Sequence, residues 1–198
     1  MPTQRLYYND SYTTVFEANL IDTTTYNDLP AVVLDRSYFY PTSGGQPHDT
    51  GLLNDARVVD VVLRESDGVV LHVLENAPAP EINPISGHID WDRRFDHMQH
   101  HTGQHILSAA FEKLANADTV GFHLSADSVT IDLNKPDISP AMLDAAEDLS
   151  NQIVEDDRPV RAYFPTDEEL DKLELRKVPD VEGKFRVVDI AGFDVNAC

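Results

Sequence analysis

Residues 95–116, FDHMQHHTGQHILSAAFEKLAN, mark the point where the chain changes character. Phe95, Met98, Thr102, His105/Ile106, Ala109 and Leu114 recur at the spacing of one helical face. Asp96 reads as the N-cap. Before this stretch the pattern is that of β-strands, and after it strands and helices alternate. The boundary is therefore set near Trp91, with a first domain over 1–90 and a second over 91–198.

Outward toward the N-terminus, AVVLDRSYFY (31–40) is β-branched and aromatic, and PTSGGQPHDTG (41–51) ends it with turn residues. ARVVDVVLRESDGVVLHVLE contains two apolar runs joined by Ser66-Asp67-Gly68, a hairpin signal. NAPAPEINPIS (76–86) has the proline density of a surface connector, and GHIDW reads as one more short strand. Several short strands with turns between them predict a small barrel or sandwich, and a small N-terminal β-barrel is the expectation taken forward.

Outward toward the C-terminus, SVTIDL (128–133) reads as a strand. Ser139 followed by Pro140 predicts a helix start. RPVRAYFP is a strand, Thr166 and Glu169 have capping-box spacing, and FRVVDIAGFDV is a final strand. The fold class is α+β, with the helices of the second domain packed on an antiparallel sheet.

The 198 residues carry 35 acidic and 15 basic side chains, a formal charge of -20. That excludes a general nucleic-acid coat, whose affinity rests on Lys and Arg neutralising phosphates. A specific RNA held by a local basic patch remains compatible. No apolar run approaches the length needed to span a bilayer, and the first residues lack the pattern of a signal peptide. One cysteine excludes an internal disulfide framework and fits a reducing cytoplasm.

Four histidines fall within 97–105. His101 and His105, four apart on a helix, can point two imidazoles at one ion, with His97 a turn earlier. A solvated histidine face is the competing reading. Cys198 follows a strand and could meet the pair as a third ligand, or be a plain thiol. Gly44 and Gly45 permit a tight turn or a close backbone approach, and Gln46 offers a donor and an acceptor.

Taken together, MQHHTGQHILSAAFEKL, FYPTSGGQPHDTG and VVDIAGFDVNAC resemble three segments of one family. MQHHTGQHILSAAFEKL is similar to the His-Thr-x-x-His motif of the editing domain shared by alanyl- and threonyl-tRNA synthetases. FYPTSGGQPHDTG resembles the glycine-rich segment of the small β-domain in alanyl-tRNA synthetase and AlaX-type editing proteins. VVDIAGFDVNAC resembles the run leading into the family's Cys-Gly-Gly-Thr-His motif. Order and spacing agree over almost the whole chain.

The resemblance implies Zn2+ held by His101, His105 and Cys198. The family's fourth ligand is a histidine four residues after that cysteine. The sequence stops before it, so C-terminal truncation is expected. The implied reaction is hydrolysis of the ester joining a wrong amino acid, mainly serine or glycine, to tRNA(Ala). Thr102, Gln104 and His123 are the candidates for catalysis and for recognising a serine hydroxyl. Ordinary hydrogen bonding is the competing role. Gly44, Gly45 and Gln46 would border the substrate, and Arg93, Arg94, Arg158 and Arg161 would meet acceptor-end phosphates unless paired with the surplus carboxylates. Two other readings stay open: a non-catalytic tRNA- or partner-binding domain, and a zinc hydrolase of small-molecule esters.

Overall fold

The computed structural model describes residues 1–76, 83–125, 128–176 and 184–198. Most of the expected surface connector, 77–82, lies outside them. The chain divides into two compact units, Met1–Met98 and Gln99–Cys198.

The first unit holds β1 (Gln4–Arg5), β2 (Val15–Ala18), β3 (Leu20–Tyr26), β4 (Leu29–Leu34), β5 (Arg36–Ser37), β6 (Gly51–Leu53), β7 (Ala56–Arg64), β8 (Val69–Leu74) and β9 (Ile85–Ile89). β1 pairs in parallel with β5. The other seven strands form one antiparallel sheet in the order β2-β9-β6-β7-β8-β4-β3. β7 and β8 form the hairpin expected at Ser66-Asp67-Gly68, where Gly68 takes φ +71°. β8 reads VVLHVL and is buried throughout, the pattern of a strand covered on both faces. One face packs Phe16, Val32, Phe39, Val58, Val61, Val70 and Leu74, and the other Val33, Val69 and Leu71.

Among the described residues no ladder closes this sheet into the barrel expected from the strand pattern. β2 and β3 stand at opposite ends of the pairing order although only Asn19 separates them in the chain. Beyond the last β3–β4 pair, Leu20–Leu34, Asp35 N–H donates to Asn19 C=O at 3.0 Å and the Asp35 carboxylate takes the Asn19 N–H at 2.8 Å.

α1 (Trp91–Ala115) begins five residues before the expected Asp96 cap. Its first backbone bond is Arg94 N–H to Asp90 C=O, 3.1 Å. Asn116, in the left-handed region at φ +50°, ends the helix, and Ala117 N–H returns to Phe111 C=O at 3.4 Å.

The second unit contains the rest of α1 together with β10 (Thr119–Leu124), β11 (Val129–Leu133), α2 (Pro140–Glu155), β12 (Val160–Tyr163), α3 (Asp167–Leu170), β13 (Val187–Ile190) and β14 (Asp194–Ala197). β10 and β11 form an antiparallel pair, and β12-β13-β14 form a three-stranded antiparallel sheet. Ser139 caps α2 by accepting from Met142 N–H, and Thr166 and Glu169 form the expected capping box. The core lies between α1 and α2: Ala110, Phe111 and Ala146 are buried there, with Ile106, Ile153, Val188 and Ile190 beside them. The run FRVVDIAGFDV, expected as one strand, is a hairpin. Gly192 at φ +67° supplies the turn, which a pattern of apolar residues alone does not show.

Candidate metal centre

α1 sets the spacing of His101 and His105. Their rings stack with centroids 5.3 Å apart and an interplanar angle of 4°. Cys198 arrives by the β13–β14 ladder. After the pair Val187–Ala197, Cys198 N–H bonds to Arg186 C=O at 2.9 Å, which fixes where the thiol stands. Its Sγ lies 3.4 Å from His101 Nε2. One donor atom from each of His101, His105 and Cys198 lies within 4.8 Å of the other two.

Burial, with Arg186 second, pushes the His101 imidazole down to about 4. His105 is pushed to about 3, chiefly by burial, then by His101, Arg176 and Arg186. Both rings are therefore neutral near pH 7, the form that ligates a metal. Cys198 is exposed as a residue, yet burial raises its thiol pKa while Arg186 pulls it the other way. His105 Nδ1 is buried without a hydrogen-bond partner among the described residues, an expensive state for a ring serving only as packing.

These residues fit a borderline-soft divalent ion. Two imidazoles and a thiolate are a zinc donor set, and donors around tetrahedral zinc stand roughly 3.5 Å apart. The Sγ–Nε2 distance already matches, and three protein ligands leave one position for water or substrate.

The other expected residues are dispersed. Thr102 is half-buried on α1. Gln104 Nε2 donates to Ser108 Oγ at 2.8 Å. His123 lies inside β10, with its side chain 71% exposed and 3.2 Å from Asp132. Gly44 (φ +57°) and Gly45 (φ +83°) form a tight turn closed by Gln46 N–H to Ser43 C=O, 2.9 Å, and Gln46 is buried. Arg93 Nε donates to His48 C=O at 3.0 Å.

Arg94 is buried, against the expectation of a phosphate contact. Its Nε meets both Asp49 carboxylate oxygens at 3.0 and 3.1 Å, and its other nitrogens donate to Ser11 and Tyr38 carbonyls. Arg158 pairs with Asp156 and donates to Gly192 C=O, while Arg161 is exposed on β12.

Three neighbours of the centre escaped the sequence reading. Phe122 sets its ring 5.7 Å from that of His101. Arg186 faces Cys198 across the hairpin. Arg176 is held by Asp194 at 3.0 Å. Recognising Gly192 as a turn would have found Arg186, because a hairpin centred there puts 186 opposite 198.

A mixed α/β chain with a helix-borne histidine pair beside a strand-end cysteine defines a candidate metalloprotein with an open coordination position. The comparisons with known proteins make the class specific. The family model described as tRNA synthetases class II (A) matches residues 2–93. The chain is 38% identical to the alanyl-tRNA editing protein AlaX-L of Pyrococcus horikoshii over 98% of its length and 50% of the relative's. It is 35% identical to the alanyl-tRNA editing protein Aarsd1-A of Xenopus laevis over 84% of its length and 40% of the relative's. It is 31% identical to AlaX-M of Methanosarcina barkeri over 99% of its length and 85% of the relative's. The chain belongs to the AlaX family of alanyl-tRNA editing proteins. It spans half or less of the length of the first two relatives. No helix among the described residues is long and apolar enough to cross a membrane.

Proposed function

We propose that this chain is a trans-editing deacylase that hydrolyses the ester of a wrongly attached amino acid, serine foremost and glycine second, on tRNA(Ala) at a zinc centre. The observation that carries the reading is the convergence of His101, His105 and Cys198 within 4.8 Å in a member of this family. His101, His105 and Cys198 would hold the ion. Bound there, zinc supplies a Lewis acid that can acidify a water or hold a polar group of the substrate.

The chain's own residues do the rest. The neutral imidazoles give their lone pairs to the ion without first losing protons near pH 7. Thr102, Gln104 and His123 are the polar groups assigned to the aminoacyl moiety. Gly44, Gly45, Gln46 and Arg93 are assigned to the acceptor end. Arg94 is left out because its donors are spent inside the protein. The β-portion, 1–90, is assigned to substrate binding and 91–198 to the metal-bearing portion, acting in the cytoplasm.

Deacylation of Ser-tRNA(Ala) beside Ala-tRNA(Ala), with zinc supplied, tests the reading. The wild-type chain should cleave the seryl ester and spare the alanyl ester. His101→Ala should lose zinc and hydrolysis together while keeping its circular dichroism. A His101→Ala protein with full activity refutes the metal role. A wild-type chain inert on every ester refutes the editing role.

A further inference from the structure

Ser108 lies one turn after Gln104 on α1 and is 0% exposed. Its Oγ receives two hydrogen bonds, from Gln104 Nε2 at 2.8 Å and from Thr119 Oγ1, at the start of β10, at 2.7 Å. Both lone pairs of that oxygen are therefore occupied. Its neighbours Ala109 and Ala110 are also 0% exposed. Alanine at 108 would suit this surface without the cost of burying a hydroxyl. The serine needs a reason beyond packing.

Its effect falls on Gln104. A glutamine amide offers a donor end and an acceptor end. Ser108 ties down the donor end, leaving the carbonyl Oε1 as the end available to a ligand. At 100° per residue, Gln104, Ser108, His101 and His105 fall within an arc of about 100° on α1. The tethered amide thus shares the helix face that carries two of the candidate metal ligands.

We propose that Ser108 and Thr119 are positioning residues that lock Gln104 as a hydrogen-bond acceptor, making it the specificity-determining contact for the hydroxyl of a seryl ester. The assignment rests on the editing reading and narrows it to seryl over glycyl and alanyl esters. A serine side chain donates its O–H to Oε1, whereas glycine and alanine side chains have no proton to donate. With those two substrates the anchored carbonyl is left unpaired, and a site built around a hydroxyl rejects analogues that lack it. Without Ser108 the amide turns freely, presenting either end, and the preference fades.

The test is kcat/KM for Ser-tRNA(Ala), Gly-tRNA(Ala) and Ala-tRNA(Ala) with zinc-loaded wild-type protein, Ser108→Ala, Thr119→Val and Gln104→Glu. Ser108→Ala should lower the seryl-to-glycyl ratio roughly tenfold, the worth of about one hydrogen bond. Thr119→Val should lower it in the same direction by less. Gln104→Glu keeps an acceptor toward the substrate and can accept from the Ser108 hydroxyl, so it should keep the ratio within about threefold. Metal content and circular dichroism accompany each variant.

Equal losses on seryl and glycyl esters in both Ser108→Ala and Thr119→Val mean a structural role and overturn the assignment alone. A collapsed ratio in Gln104→Glu overturns the acceptor orientation. Wild-type protein that cleaves none of the three esters overturns the editing reading, and this assignment with it.

Discussion

Arg94→Ala separates a structural clamp from a substrate contact. Arg94 is 2% exposed and Asp49 0%. The guanidinium spans both carboxylate oxygens and two main-chain carbonyls, so its removal strips four acceptors of a charged donor at once. The largest consequence is a buried carboxylate left without its cation, holding only the Tyr40 N–H at 2.6 Å, which costs about 3–5 kcal/mol. With a urea dependence near 2 kcal/mol per molar, the midpoint for the N-terminal unit should fall by roughly 2 M. Asp49→Ala with Arg94→Ala removes both charges and should recover part of the loss, giving a coupling of about 2 kcal/mol or more. The assay is urea unfolding followed by tyrosine and tryptophan fluorescence on wild type, both single variants and the double variant. A shift under about 1 kcal/mol, accompanied by a large rise in KM for tRNA, refutes the clamp and returns Arg94 to phosphate binding.

Burial lowers the pKa of His72 from 6.5 to about 4, its Nε2 lying 2.7 Å from Ser37 Oγ. The unfolded chain takes up this proton first, so the contribution is complete above pH 6.5 and lost as pH falls toward 4, about 3 kcal/mol in all. The slope of unfolding free energy against pH should flatten over that window in His72→Gln, and an unchanged slope contradicts the reasoning. Ser139→Ala removes the acceptor for Met142 N–H and should cost about 1 kcal/mol by thermal unfolding, with loss of cooperativity confined to α2. Gly192→Val forces a branched side chain to φ +67°, a strain of about 1–3 kcal/mol. Because that turn sets the register of Cys198, zinc affinity measured by competition with a chelator should fall several-fold.

Signals that are local in the chain are legible in the sequence. Ser66-Asp67-Gly68, the Ser139-Pro140 start and the Thr166–Glu169 box each act within a few residues, and each forms as expected. The His101–His105 pair is legible for the same reason, since helical spacing alone puts both on one face. What depends on distant partners is not. The strand order, which puts the chain neighbours β2 and β3 at opposite ends of the sheet, is set by pairings between strands far apart in the chain, such as β2 with β9. The early start of α1 is masked because Arg93 and Arg94 look like surface residues, and only Asp49 and His48 explain why they turn inward. Ser108 reads as one small residue among alanines, and only Thr119, eleven positions on, gives its hydroxyl a role.

The route by which Cys198 reaches His101 bears on how the second unit holds together. Two of the three donors sit a single helical turn apart, but the third is 97 positions along the chain from His101. Joining points that far apart costs a flexible polymer about 4 kcal/mol of closure entropy. An ion gripping all three donors therefore acts as a removable cross-link around nearly the whole second unit. Its withdrawal would enlarge the unfolded ensemble as cutting a long disulfide loop does, so metal supply would govern how long the folded chain persists.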